Sequence, residues 1–111
     1  VAEYKNEPIN NAIVNPITYA GIKNEDGVLD VHFNHSTCNV EVHFSLLEDL
    51  RIQVSENLSL EFASNERMLI FLSHRFTVSE FDEDCSTTNL KMISKALNEN
   101  STYCLILAIA V

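Results

Sequence analysis

Alternation of apolar and polar residues dominates the first three quarters of this chain. "ITYAGIK" (17–23) and "VLDVHFN" (28–34) repeat with a period of two and flank "NEDG", whose Asp-Gly step signals a hairpin turn. The next run, "CNVEVHF", puts Cys38, Val40, Val42 and Phe44 on one face and Asn39, Glu41 and His43 on the other. Matching apolar faces sets register. A four-residue loop, "NHST", pairs Phe33 with Cys38, Val31 with Val40 and Leu29 with Val42. A three-residue loop opposes His32 to Val40 and mismatches every pair, so the four-residue loop is predicted.

Further elements follow from the same reading. "EPINNAIVNP", within an N-terminal arm or short helix over 1–16, stops at Asn15-Pro16, because proline pushes its predecessor towards an extended backbone. "SLLEDL" interrupts the alternation with a helical turn. "RIQVS" and "LSLEF" form a hairpin around "SEN", with Ile52 and Val54 facing Leu60 and Leu58. A long strand is predicted over Met68–Val78, whose even positions are apolar apart from His74. In "SEFDEDCSTTNLKMISKALNEN" the period becomes helical: Leu90, Ile93, Ala96 and Leu97 share a stripe that excludes Lys91, Lys95 and Asn98. Acids precede that predicted helix, Ser86 or Thr87 caps it, and Lys95 sits in its last turn, all favourable to the helix dipole. "TYCLILAIAV" is apolar on both faces and calls for cover by the helix and by other elements or a second copy, a hint of a homodimer. The predicted architecture is α+β: one antiparallel sheet of about six or seven strands, with one main C-terminal helix packed on one face.

Composition bounds the function classes. A chain of 111 residues corresponds to one domain, 1–111. Sixteen acidic against seven basic residues give a formal charge of −9. That field repels phosphate backbones and anionic lipid, which argues against nucleic acid and membrane and favours solubility or a basic protein partner. Cys38, Cys85 and Cys104 are odd in number and lack C-x-x-C spacing, as expected of free thiols in a reducing compartment. "VAEYKNEPINN" has neither a basic nor an apolar leader region, and the longest apolar run, "YCLILAIAV", has nine residues, too few to span a bilayer. The expected location is the cytoplasm. The sequons at Asn34, Asn57 and Asn100 are about as many as chance supplies among twelve asparagines.

Chemistry concentrates in "DVHFNHSTCNVEVHF", which holds three of the four histidines. In the predicted register Asp30 lies across from Glu41, an unfavourable like-charge pair. His32 and His43 are diagonal to these acids and gain a proton more readily beside them, the pattern of a pH-sensitive patch or a Zn²⁺ site. That register, however, opposes His43 to Val28 and His32 to Asn39, more than about 9 Å apart. Cys38 faces the other side, so the four-ligand reading of "HxxHxxC" fails, and a solvated strand face without metal is expected. His74 is expected to be buried and satisfied by a backbone carbonyl. A Cys85–His74 nucleophile lacks an orienting third group. The acids of "SEFDEDC" lack the glycine turn and distal Glu of a calcium loop. They are read as a helix start or an acidic docking site.

No Gly-rich phosphate loop, nucleophile elbow or Rossmann fingerprint occurs, and without Trp a base-stacking platform is unsupported. No catalytic residue and no cofactor is indicated. The composition points to a non-enzymatic acidic protein-binding or accessory protein, similar in type to immunity proteins, antitoxins and inhibitors. It would act through Asp30, Glu41, His32, His43, Glu80, Asp82, Glu83 and Asp84. The alternative is a small-molecule-binding module or minor enzyme with a pocket between helix and sheet at His74, Phe76 and Tyr103.

Overall fold

A computed structural model describes residues 2–111 and divides the chain into two units, the first ending at Arg75 and the second beginning at Phe76. The first unit opens with a 3-10 turn, Ala2–Lys5, and helix α1, Glu7–Tyr19. A second 3-10 turn, Asn24–Asp26, leads into strands β1 (Gly27–Asn34), β2 (Asn39–Leu46), β3 (Leu50–Ser55), β4 (Leu58–Phe62) and β5 (Arg67–His74). The second unit holds helix α2, Val78–Thr87, and strands β6 (Leu90–Leu97) and β7 (Cys104–Ala110). An α+β composition therefore stands, but the single large sheet does not. The described strands form a three-stranded sheet, β1-β2-β5, and two separate ladders, β3-β4 and β6-β7. Among the described residues there are two α-helices, one of them N-terminal.

Helix α1 overturns both the stop at Pro16 and the strand over 17–23. Pro16 lies inside the helix, where it removes a backbone bond at a cost of about 3 kcal/mol. Burial of Ile13 and Val14 and the packing of Ile17 on the core offset that loss. The helix ends in a Schellman motif. Ile22 N–H donates to Ile17 O at 3.0 Å, and Gly21 N–H donates to Thr18 O at 3.1 Å. Gly21 takes the required left-handed backbone, φ +107°. Ile22 then drops into the core, so the period of two over 17–23 belongs to a helix end.

Strand β2 is central. Its inward residues Val40, Val42, Phe44 and Leu46 are almost fully buried. Phe44 and Leu46 join Ile22 and Ile52 in the core, packed by Leu29, Leu50, Phe62, Met68 and Ile70. Full burial of such side chains contributes about 1.5–3 kcal/mol each. β2 runs through Leu46, so "SLLEDL" makes no helical turn. In the β3-β4 hairpin Ile52 faces Leu60, but a bulge past Gln53 pairs Ser55 with Leu58 and leaves Val54 out.

A bulge also explains β5. Val42 pairs with Phe71 and His43 with Leu69, so Ile70 is the extra residue and the inward phase changes there. Met68 and the bulged Ile70 face the core, whereas Leu72 and His74, past the bulge, are exposed. The strand ends at His74 rather than Val78, and His74 is not a buried histidine.

In the second unit, the stripe predicted as helical is strand β6. Leu90 pairs with Ala110 and Leu97 with Cys104. The helix lies earlier, capped by Thr77: Glu80 N–H donates to Thr77 Oγ1 at 3.2 Å, and Thr77 N–H donates to Glu80 Oε2 at 2.7 Å. Ser86 and Thr87 belong to its last turn. Strand β7 is not buried on both faces, since Leu105, Leu107 and Ile109 are exposed. No described helix is long and apolar enough to cross a membrane.

Candidate functional site

The outer face of the β1-β2-β5 sheet gathers the titratable groups of the histidine hairpin. Its register is shifted by two residues from the predicted one: Phe33 pairs with Val40, Val31 with Val42, and Leu29 with Phe44. The loop is therefore His35–Cys38, with Cys38 in the left-handed region at φ 53°. Arg75 N–H donates to the carbonyl of Cys38 at 2.8 Å and ties the turn to the end of β5. A slip of two preserves which face each side chain occupies and changes every partner across the strands. Asp30 now opposes His43, and His32 opposes Glu41. The acid-against-acid pair disappears.

The histidines, placed far apart by the predicted register, are neighbours. Their rings stack at 5.2 Å between centroids and 11° between planes. His32 Nδ1 lies 3.2 Å from Asp30 Oδ2, and His32 Nε2 lies 3.2 Å from Glu41 Oε2. His43 Nε2 is 3.8 Å from the same Glu41 oxygen. Arg67, from β5, donates to Asp30 Oδ2 at 2.7 Å and comes within 3.5 Å of His32 Nδ1. Asn34 Nδ2 donates to the other Glu41 oxygen at 2.9 Å.

Burial differs across the cluster, so it is not a uniformly wet face. Glu41 and His43, on the central strand, keep only 15% and 13% of their side-chain exposure, against 36% for His32. Desolvation, then the nearby Arg67 guanidinium, holds the His43 pKa below its ordinary 6.5; the Glu41 carboxylate opposes this without reversing it. His43 Nδ1 is buried without a hydrogen-bond partner among the described residues. The site can therefore present a neutral imidazole next to two carboxylates.

The remaining sequence-predicted residues lie elsewhere. Glu80, Asp82, Glu83 and Asp84 sit on α2 itself rather than before it, with the Glu80 carboxylate committed to the Thr77 cap. His74 is exposed at the end of β5, where its Nδ1 lies 2.7 Å from Asn39 Oδ1. Phe76 and Tyr103 are exposed in the second unit. Phe76 meets Phe81 edge to face at 6.0 Å. Sequence reasoning missed Arg67 altogether. Its signal was the one basic residue opening β5, the strand that pairs with the acid-bearing strand.

An α+β chain of antiparallel hairpins, carrying a histidine–carboxylate cluster on one sheet face, is the class that fold and site define. Residues 12–110 match the model of a family described as histidine-specific methyltransferase, SAM-dependent. The chain belongs to that family. A search of curated proteins found no match. Family membership overturns the reading as a non-enzymatic acidic binding protein.

Proposed function

We propose that this chain serves S-adenosylmethionine-dependent methyl transfer to histidine and contributes the acceptor side of that reaction. The observation that carries the reading is the family match over residues 12–110. The donor carries an adenosine group. Sites for such nucleosides are typically built where a Gly-rich turn leaves the carboxyl edge of a parallel sheet. The described residues do not fit that requirement, because every described strand pair is antiparallel. Both glycines are also committed. Gly21 closes α1, and a Cβ at Gly27 would meet the Phe44 ring at 2.5 Å, so neither leaves a cradle for a cofactor. No step through the donor is therefore assigned to these residues. The acidic surplus supports the acceptor side, since it attracts the cationic groups of a histidine.

The reading includes a reducing cytoplasmic location, supported by Cys38, Cys85 and Cys104, all of which stand as free thiols. Titration calorimetry of the full chain tests the assignment with L-histidine and S-adenosylmethionine as separate titrants. The expected result is saturable heat with histidine and none with the donor. Donor binding, or silence with both, refutes the acceptor-side role.

A further inference from the structure

We propose that the sheet-face cluster is a site for one divalent transition-metal ion, of which Zn²⁺ is the type, held by His32, His43 and Asp30 with Glu41 beside them. The proposal is independent of the methyl-transfer reading. One ligand-capable atom from each of Asp30, His32 and His43 lies within 4.8 Å of the other two. Tetrahedral Zn²⁺ with bonds near 2.0–2.1 Å needs its ligand atoms about 3.4 Å apart, so contraction by up to about 1.4 Å closes the set. Glu41 Oε2 already stands 3.2 and 3.8 Å from the two Nε2 atoms. The rings are nearly parallel, so one must turn about its Cβ–Cγ bond for both lone pairs to converge. His32 is the more exposed of the two and is the ring that turns, while His43 stays fixed on the central strand.

Three further observations point to a cation at this site. His43 Nδ1 is buried and has no hydrogen-bond partner among the described residues, a state that costs about 1–3 kcal/mol and that coordination through this nitrogen relieves, leaving Nε2 turned towards Glu41. With neutral imidazoles, Asp30, Glu41 and Arg67 leave the cluster one negative charge in excess, which a dication can meet. Two imidazoles with carboxylates suit Zn²⁺, whereas Mg²⁺ and Ca²⁺ take oxygen ligands. Arg67 is the competitor. It occupies Asp30 Oδ2 at 2.7 Å and must release or share that oxygen when the metal binds.

The test is calorimetric titration of the chelator-stripped full chain with Zn²⁺, followed by melting with and without about 100 μM Zn²⁺. One equivalent should bind, with a raised melting temperature, and Mg²⁺ should do neither. His32→Ala and His43→Gln should each weaken binding by at least about 10-fold. His32 is part-exposed, so its variant should fold and keep the measurement readable. Arg67→Gln should tighten binding, a result that a merely structural cluster would not give. No saturable Zn²⁺ binding below about 100 μM overturns the site. Binding that survives both histidine substitutions also overturns it, and assigns the metal to His35 or the free thiols.

Discussion

Gly27 offers the most direct check on the packing that positions the site. It opens β1 opposite Leu46, and its φ of −162° is ordinary extended backbone, so an alanine meets no conformational strain there. The obstacle is space. A Cβ would stand 2.5 Å from Phe44 Cε1, 2.7 Å from Phe44 Cζ and 2.5 Å from the carbonyl oxygen of Ser45. Carbon atoms pack at about 3.5–4.0 Å, so the ring must retreat by about 1 Å. Phe44 is 1% exposed and enclosed by the core, and the Ser45 oxygen belongs to the central strand. Overpacking of this kind costs about 1–3 kcal/mol, with two obstacles placing Gly27→Ala in the upper half. Loss of glycine's freedom in the unfolded chain returns about 0.4–1 kcal/mol. The net expectation is a destabilisation of about 1–2 kcal/mol, or roughly 5–15 °C in melting temperature for a unit of this size.

Urea unfolding followed by far-ultraviolet circular dichroism measures it, as a lower midpoint at unchanged slope. Adding Phe44→Leu to Gly27→Ala should recover part of the interaction but not all, because the Ser45 carbonyl stays in place. A Gly27→Ala variant as stable as the parent refutes the reasoning, and with it the close approach of β1 to β2 that sets the histidine register.

Thr77→Ala removes one half of the reciprocal cap on α2 and should destabilise the second unit by about 1 kcal/mol, seen in the same unfolding assay. With a thiol reagent under native conditions, Cys38 and Cys104 should react before Cys85, which is 4% exposed; equal rates would place Cys85 outside a packed interior. Burial lowers the His43 pKa, so the folded chain binds that proton less readily than the unfolded one. Its contribution to stability is present above pH 6.5 and declines as pH falls through the lower folded value. In chelator, His43→Gln should therefore show a shallower loss of stability than the parent between about pH 7.5 and about pH 5.5. Identical slopes would contradict the burial.

How much was legible turns on what a pattern can specify. Period two assigns residues to faces, and along β1 and β2 the assignment holds: Val31, Val40 and Val42 share one side, while Asp30, His32, Glu41 and His43 share the other. A slip of two leaves those faces unchanged, so the apolar match cannot choose between Phe33–Cys38 and Phe33–Val40. Polar pairing can. The predicted register set Asp30 against Glu41, and that like-charge contact was the signal of a wrong slip. The observed one gives each acid a histidine opposite. Bulges were not legible, because an extra residue at Ile70 reverses phase without any glycine or proline to mark it. Nor was β6 legible, since Leu90, Ile93 and Leu97 satisfy a helical stripe, yet the ladder with β7 supplies the backbone partners that decide. The helix end at Gly21 was legible and misread: a glycine followed by Ile22 is a Schellman signature as well as part of an alternating run.

The register slip and the separation of the two histidines are connected through one residue pair. Moving β2 by two positions brings Leu46 level with Gly27 and Phe44 level with Leu29, so the largest core side chains gain cover from β1. The same movement carries His43 from Val28 to Asp30, and within stacking distance of His32. Inner and outer faces therefore select the register together, the core through volume and the cluster through charge. The histidine–carboxylate cluster is consequently not an accident of a solvated face. It exists because Gly27 leaves room for Phe44, and a residue that fills that room should disturb the outer cluster and the inner core alike.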